Sequence, residues 1–588
     1  MRLDWMTKTV RPIRRTAARA TRHPVLRVEA MEDRTVPATF NVSVGGSIQA
    51  AIDAAAATND GNDIINIAKA TYTGNLTIST SANLTNLVIQ TTGAPTLQSS
   101  MATIKTSAAG AILTVDGQTA VTIKSLVFDG TNTPANEGIF VKNGGQATIQ
   151  NNFVQNINPA SGEGIGIRVG RSAAAGGATN GTATVSNNTV TGYHDAGIVI
   201  ANTPSSGTVN NNTVTGLGAS AATDQNGIEI SYGATGTVYG NTVSNNGKKN
   251  GDFVSVGIFL YKAGPGVQIG TVLNGTGVGN TVSNNNFGIS VMDGTSPIIQ
   301  YNTLSGNTYY GIGFDSSDGG TTVTMGATVN NNSSSNSAGS TVADGFDFWY
   351  LHSSAANPVT ITKNNANGNT GDGFNFFLSS CDAAGTWSMA ANGNANGNGG
   401  CGYRIQNSWG LIIDGTGATG NGNANGNAGN GILIDTCTNV TVEDYNANSN
   451  GGNGVYVTNS TGVTISGDQA AQNSLNGFLF ENSSGLTISN NLSGSLSGNQ
   501  ASNGQNGFSF VNTDNSSVTG NTAERNKFNG ILLDANSTGS TLTGNTLNTN
   551  NKANNGSFDA NDQSGDSMNV LNFWSNNSIG TKNKAVIH

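Results

Sequence analysis

The stretch TVSNNTVTGYHDAGIVIANTPSSGTVNNNTVTGLGASAATDQNGIEI, residues 184–230, contains the pattern that decides the fold. Gly197 and Gly227 each begin a phrase of alternating apolar residues, and an asparagine-rich Thr-Val segment precedes each phrase. Alternation with a period of two is typical of β-strands, and helical spacing does not occur after residue 60. Glycine and asparagine between the apolar segments predict tight corners, because both residues tolerate positive φ.

The glycine phrase recurs along most of the chain. Fifteen anchor glycines, the first and last 392 residues apart, give a mean period of 28 residues, with single spacings from 23 to 34. A fixed period of this size indicates a solenoid, whose coils stack at the inter-strand distance of ~4.8 Å. Asparagines at equivalent corners predict an asparagine ladder between coils. The anchors are Gly138, Gly164, Gly197, Gly227, Gly257, Gly288, Gly311, Gly345, Gly373, Gly402, Gly431, Gly454, Gly477, Gly507 and Gly530.

These phrases resemble the coils of right-handed parallel β-helix proteins, the pectate-lyase-like superfamily, over about residues 41–588. The resemblance implies an all-β, single-stranded right-handed parallel β-helix. A short amphipathic helix that begins after Ser47 is expected to cap its N-terminal end. We therefore expect a basic targeting or disordered segment at residues 1–37, a capping region at 38–62 and the β-helix at 63–588.

The N-terminal segment differs from the rest of the chain in charge. Residues 1–36 hold nine of the 25 Lys and Arg residues. Within them, Val28–Arg34 (VEAMEDR) resembles the N-terminal segment of secreted or surface proteins of planctomycete bacteria, which implies export to the cell surface or beyond. The alternative is a disordered basic arm. No apolar run approaches 18 residues, so we expect no transmembrane helix.

Charge and cysteine content narrow the possible partners. The net charge is -9, and an acidic body repels phosphate backbones, so nucleic acid is not an expected partner. Cys381, Cys401 and Cys437 are expected to be buried as small apolar residues, with a Cys381–Cys401 disulfide as the alternative. We expect a monomer without a resident cofactor. Bound Ca²⁺ is the alternative, although the nonapeptide Ca²⁺ repeat is absent.

The middle coils carry the candidate site. Counting each anchor glycine as zero, positions one and three are expected to face the bore, and positions two and four the solvent. In these coils the outer positions hold carboxylates, amides, a guanidinium and aromatic rings, a combination suited to binding polysaccharide or cell-envelope glycan. The catalytic candidates are Asp315, Asp347 and Arg404, and the substrate-binding candidates are Trp349, Asn375, Phe377, Gln406, Asp435 and His352.

Three functions remain open for this face. It binds glycan without turnover, it cleaves glycan, or it is only a solvated surface. Asp315 and Asp347 are expected roughly 8 Å apart, one coil and two residues along the strand, which suits an inverting glycoside hydrolase. In a lyase, Arg404 would take the proton on the carbon next to the carboxylate of a uronate. Polygalacturonase-like hydrolases carry an Arg-Ile-Lys motif, of which Arg404-Ile405-Gln406 matches two residues, and their Gly-His-Gly is absent.

Overall fold

The computed structural model describes residues 37–587 apart from short internal segments. Among the described residues the secondary structure is almost entirely β, with one α-helix, α1 (Ile48–Thr58), and 3₁₀ turns at Gln98–Ser100 and Ala173–Ala175. No helix in the described part of the chain is long and apolar enough to cross a membrane. The residues left out, besides 1–36, are 59–60, 80–83, 85, 118–119, 161, 219–222, 248–254, 294–295, 317–322, 325, 336–342, 382–386, 391–392, 417–421, 495–501, 552–553, 555, 566–570, 585–586 and 588.

Sheet I is the face of the solenoid that begins at the anchor glycines. Its 18 strands pair in parallel, each with the strand one coil before and one coil after. In chain order they are β1 (Leu76–Ile78), β2 (Gly110–Asp116), β3 (Ala135–Lys142), β4 (Ile165–Val169), β5 (Ala196–Ala201), β6 (Asn226–Ser231), β7 (Val256–Tyr261), β8 (Phe287–Met292), β9 (Tyr310–Asp315), β10 (Asp344–Trp349), β11 (Phe374–Phe377), β12 (Tyr403–Gln406), β13 (Ile432–Asp435), β14 (Val455–Thr458), β15 (Phe478–Glu481), β16 (Phe508–Val511), β17 (Ile531–Leu533) and β18 (Ala560–Asp562).

Sheet II follows sheet I in each coil and also consists of parallel strands, 20 in all. Its first strand precedes α1 in the chain and pairs with its second. The strands are Thr39–Val42, Ile64–Ile67, Val88–Thr91, Val121–Lys124, Gly145–Gln150, Gly181–Ser186, Ser206–Asn210, Thr235–Tyr239, Gln268–Ile269, Ile298–Gln300, Ala327–Asn330, Val359–Thr362, Trp387–Ala390, Ile412–Asp414, Thr441–Glu443, Thr464–Ser466, Thr487–Ser489, Ser517–Thr519, Thr541–Thr543 and Phe573–Ser575.

Sheet III completes the coil and is divided into an 11-stranded and a 7-stranded part. The first part comprises Thr71–Thr73, Ala102–Lys105, Leu126–Asp129, Phe153–Gln155, Thr189–Thr191, Thr213–Thr215, Thr242–Ser244, Thr281–Ser283, Thr303–Ser305, Ser333–Ser335 and Asn365–Asn367. The second comprises Gly422–Asn423, Tyr445–Asn446, Gln469–Ala470, Leu492–Gly494, Thr522–Glu524, Thr546–Asn548 and Ser578–Ile579. Two small additions are a hairpin, Thr271–Leu273 with Thr276–Val278, and a corner sheet of Val323–Thr324, Leu351–Ser353 and Ser380–Cys381.

Equivalent positions of successive coils place apolar residues in the bore, paired in register, which confirms the predicted β-helix. Ile198 pairs with Ile228 and Ile228 with Ile258, all fully buried. In the middle coils aromatic rings take these positions, and Phe374 stacks on Tyr403 with ring centroids 4.8 Å apart. All three cysteines are buried and unbridged, so the alternative Cys381–Cys401 disulfide is not formed.

The asparagine ladder and the capping helix are also confirmed. From coil to coil, the side-chain amide of Asn280 donates to Asn302 and that of Asn302 to Asn332, each at 2.9 Å, and a parallel ladder runs through Asn398 and Asn427. At the N-terminal end Ser47 Oγ accepts a hydrogen bond from the backbone N–H of Ala50, as an N-cap does. The helix buries Ile48, Ile52 and Ala55 against the first coils.

The anchor glycines are required by close approach rather than by positive φ. A Cβ on Gly345 would lie 2.7 Å from the carbonyl oxygen of Gly373 in the next coil and 2.9 Å from Ala366 Cβ in the bore. The same test corrects one anchor: Gly166, not Gly164, occupies the equivalent place, because Ile167 pairs with Ile198.

The glycine also interrupts the alternation of the strand. The residue before each anchor therefore faces outward, together with positions two and four. In β4–β6 this extra row consists of Ile165, Ala196 and Asn226, which are paired in register and line a surface cavity. Three rows of side chains, rather than the two expected, thus project from sheet I.

Candidate functional site

Strands β9–β13 carry eight of the nine predicted site residues on the outer face of sheet I. Asp347, Asn375 and Arg404 are directly paired in one row. Trp349, Phe377, Gln406 and Asp435 are paired in the next row. Asp315 ends β9, two residues beyond the partner of Asp347.

His352 is the predicted residue that lies apart from this face. It belongs to the corner sheet that follows β10, and its Nδ1 is 2.6 Å from Ser380 Oγ. A half-buried imidazole held at the corner is separated from the rows of β10–β12 by a turn of the chain. The structure therefore does not bring His352 together with the other candidates.

A cavity of about 390 Å³ opens over β10–β12. Five predicted residues line it, whereas Asp315, Asp347, Asp435 and His352 do not. Two carboxylates that sequence reasoning missed, Asp344 and Asp372, complete the wall. The lining consists of Asp344, Trp349, Gly371, Asp372, Asn375, Phe377, Gly400, Arg404 and Gln406.

Asp344 and Asp372 each precede an anchor glycine and so belong to the third outward row. Strict alternation assigns that position to the bore, which is why the sequence did not single them out. Asp344 is 5% exposed, and its Oδ1 accepts a hydrogen bond of 2.6 Å from the backbone N–H of Asp372. The usable signal was the recurrence of Asp directly before Gly345 and Gly373.

The carboxyl groups of β10 hold their protons unusually well. Burial raises the pKa of Asp344 to about 9, and the nearby charges of Asp347 and Asp372 add to the effect. Burial likewise raises the pKa of Asp347 to about 7, although hydrogen bonds from Asn375 and Trp349 work against it. Burial also raises the pKa of Asp315. Near neutral pH this face can therefore present protonated as well as ionised carboxyl groups.

Arg404 is engaged by Asp372. Its Nε lies 2.5 Å from Asp372 Oδ2, and its Nη2 donates to the other oxygen at 3.3 Å. Burial acts to lower the pKa of Arg404, but the hydrogen bonds and charge of Asp372 outweigh it, so the pKa is raised. A guanidinium that stays protonated suits binding a hydroxyl or an acidic group better than accepting a proton.

Aromatic rings form one side of the cavity. Trp349 is 40% exposed, and its ring centroid lies 5.0 Å from that of Phe377. Tyr350 meets Phe377 edge-on at 6.3 Å. A partly exposed indole beside a second ring offers a flat apolar surface of the kind on which ring-shaped ligands stack.

Asn375 connects the aromatic side of the cavity to the carboxyl groups. Its Nδ2 donates to Asp347 Oδ1 at 2.9 Å. Among the described residues no donor reaches its buried Oδ1. A buried acceptor without a partner costs about 1–3 kcal/mol, and a bound hydroxyl group would remove that cost.

Histidine and cysteine, the side chains that most often hold transition metals, are few in this chain. The chain has four histidines, and its three cysteines are all buried. Burial raises the pKa of Cys401 and of Cys437 to about 11, which disfavours the thiolate that binds metal. Within the described ranges, no three His, Cys, Asp or Glu side chains are placed to hold a metal ion.

Comparison with known families gives two matches. The family described as "Right handed beta helix region" matches residues 61–264 and 259–386, which together exceed half of the chain. A second family, described as "Periplasmic copper-binding protein (NosD)", matches residues 387–495. These residues include no histidine, and both of their cysteines are buried, so they do not offer the ligands that suit a copper ion. A search of the curated proteins found no match.

Solved structures give distant likenesses. An alginate lyase from Paenibacillus sp. is 14% identical, with 53% of this chain and 98% of that chain covered and a TM-score of 0.37. Tailspike protein 2 of an Escherichia coli bacteriophage is 15% identical, with 57% and 43% covered and a TM-score of 0.38. The A-module of a mannuronan C-5 epimerase from Azotobacter vinelandii is 12% identical, with 92% and 94% covered and a TM-score of 0.21. Values this low say nothing about activity.

Proposed function

Because the chain belongs to the right-handed β-helix family, we propose that it is an exported envelope or surface protein that binds polysaccharide on sheet I. The binding site is the cavity over β10–β12. The observation that carries the proposal is that Asn375 lines this cavity and that its buried Oδ1 has no hydrogen-bond partner among the described residues. A periplasmic family name over residues 387–495 supports the envelope location.

The cavity offers the two kinds of contact that a sugar ring needs. Trp349 and Phe377 supply a stacking surface for the apolar face of the ring. Asn375, Arg404 and Gln406 supply amide and guanidinium groups that fix hydroxyls or a carboxylate at defined positions. Strands β10–β12 present these different groups at ~4.8 Å steps, so a polymer that lies across the strands meets several of them.

Binding is tested with a panel of acidic and neutral polysaccharides by affinity electrophoresis, followed by calorimetry of the best ligand. Trp349→Ala and Asn375→Ala are expected to weaken that ligand at least tenfold. The matched control is Trp409→Ala, because Trp409 is 44% exposed but lies outside the cavity. Equal losses in Trp349→Ala and Trp409→Ala would refute the proposed site.

Cleavage of the bound glycan is the second candidate function. The raised pKa of Asp347, about 7, favours it, because a carboxyl group that titrates near neutral pH can donate or accept a proton in catalysis. Mass spectrometry of the incubated panel, with and without Ca²⁺, would reveal products. Unsaturated ends indicate a lyase and saturated ends a hydrolase. Products that persist unchanged in Asp347→Asn would place the chemistry elsewhere.

A further inference from the structure

A second cavity, of about 310 Å³, opens on the outer face of sheet I over β4–β6. It lies six inter-strand steps from the first, counted from β5 to β11, or about 29 Å. Its floor is apolar and consists of Ile165, Ala196, Val199 and Ala201, all 5% exposed or less. Its wall is polar and includes Glu163, Arg168, Asp195, Asp224, Glu229 and Ser231, with Tyr232 at the rim.

The guanidinium in this wall is neutralised by its own neighbours. Arg168 has a side chain 3% exposed, forms an ion pair with Glu163, and its Nε lies 3.6 Å from Glu137 Oε1. Arg171 pairs with the same Glu137 oxygen at 2.6 Å. Two arginines thus face two glutamates, and the positive charge of the site is already matched.

The remaining wall carboxylates make the cavity acidic. Asp195 and Glu229 stand outside the arginine pairs formed by the described residues, and Asp195 already has a basic neighbour, His194, whose Nδ1 is 2.7 Å from its Oδ1. Glu229 accepts a hydrogen bond from Asn226 Nδ2 at 2.9 Å, which leaves its other lone pairs for a ligand. Such a wall favours a cation.

Two further polar atoms lack partners in this cavity. Ser231 is fully buried, and within the part of the chain that the structure describes its Oγ has no hydrogen-bond partner. The same holds for Oδ1 of Asn226 in the adjacent row. Ser231 and Glu229 lie two residues apart on β6, on the same outward side, so a ligand that reaches the floor meets both.

The shape of the site distinguishes among cations. The described carboxylates are not clustered closely enough to hold a metal ion. An apolar floor instead favours a ligand with a carbon body, and Tyr232, 38% exposed, can meet a cation at the rim.

We propose that this second cavity binds a protonated primary amine carried on a sugar ring, so that sheet I has an amino-sugar site besides its first cavity. The ring lies on the floor formed by Val199 and Ala201, and the ammonium group meets Glu229. Ser231 bonds to a ring hydroxyl. The choice of a sugar as the carrier rests on the proposed function, whereas the preference for an amine rests on this cavity alone.

The test is calorimetry of the full chain near pH 6, where amines carry a proton, with oligomers of glucosamine and with fully N-acetylated oligomers of the same length. The free-amine oligomer is expected to bind at least tenfold more tightly. Its affinity is expected to fall about tenfold in Glu229→Gln and in Ser231→Ala, and to weaken with added salt. Circular dichroism checks that each variant is folded.

The control variant is Glu481→Gln, which removes an outward carboxylate of β15 far from both cavities. Equal affinity for acetylated and free-amine oligomers, no binding of either, or equal losses in Glu229→Gln and Glu481→Gln would overturn the amine site. Failure of the proposed function gives a different result, because it shows as unchanged panel binding in Trp349→Ala while the acetylation contrast persists.

Discussion

Among the carboxyl groups that line the first cavity, Asp344 has a strongly raised pKa. Its folded pKa of about 9 lies far above the value near 3.9 expected in the unfolded chain. The folded state therefore binds the proton more tightly than the unfolded state does. The stability that Asp344 contributes in this way is complete below about pH 4 and is lost progressively as the pH rises to about 9. The cause is burial, strengthened by the charges of Asp347 and Asp372.

Asp344→Asn should flatten this pH dependence. The amide keeps an oxygen for the backbone N–H of Asp372 but cannot ionise. We expect the melting temperature of the wild type to fall by a few degrees more than that of the variant between about pH 5 and pH 9. Differential scanning calorimetry measures it, with Asp53→Asn on the exposed side of α1 as control. Parallel curves for all three proteins would contradict the assignment.

Gly345 shows what an anchor glycine does. An added Cβ would lie 2.7 Å from a backbone oxygen of the next coil, which cannot move independently of its strand. Gly345→Ala should lower the free energy of unfolding by about 1–3 kcal/mol in chemical denaturation. Gly565→Ala is the control, because no described atom lies within 4 Å of its Cβ position. Similar stability of the two variants would argue against close approach as the reason for the anchors.

The ladder of asparagines is the element that joins neighbouring coils from inside. Asn302 donates to Asn332 Oδ1 and to the carbonyl oxygen of Ile269, and accepts from Asn280, each at 2.9 Å. Asn302→Ala removes the hydrogen bonds that the side chain makes to the carbonyl oxygen of Ile269 and to the backbone N–H of Asn280, both buried, which should cost about 3 kcal/mol in the free energy of unfolding.

The matched control for the ladder is Asn330→Ala. Asn330 lies two residues before the ladder position of the next coil, on the outer side of sheet II, and accepts a hydrogen bond from Asn331. We expect its loss to cost less than about 1 kcal/mol in the same denaturation experiment. An equal cost at Asn302 and Asn330 would mean that the ladder adds no special stability.

The sequence pattern predicted the strands of sheet I but not all of the side chains that face outward from it. Alternation correctly assigned Ile198 to the bore and Asp347 to the surface, because each lies after its anchor glycine. The rule failed at the anchor itself, where close coil contact breaks the alternation and turns Asp344 outward. It also failed at Gly164-Ile-Gly-Ile, where two glycines compete and only inter-coil pairing identifies Gly166.

At the scale of the whole molecule, the two cavities share one face and one direction. A polymer that follows sheet I across the strands can enter both, and its second contact then occurs at high effective concentration. If both proposed sites are correct, partly deacetylated N-acetylglucosamine polymers long enough to span about 29 Å should bind 10²–10⁴-fold more tightly than short fragments.

Affinity measured against oligomer length tests this expectation. The gain should appear as a step at the spanning length and should disappear in Glu229→Gln, whereas short fragments that reach only the first cavity should bind that variant normally. A smooth rise with length that Glu229→Gln leaves intact would show that the two cavities act independently.

The parallel, in-register pairing of the coils also fixes distances along the axis of the solenoid. Corner segments differ in length between coils, yet each coil advances the structure by one inter-strand step. The length of the corner segments therefore does not change the axial distance between two sites on sheet I. Adding or removing one complete coil between β6 and β10 would move the two cavities by ~4.8 Å and leave the walls of both intact. Spacing along such a protein is therefore set by the number of its coils.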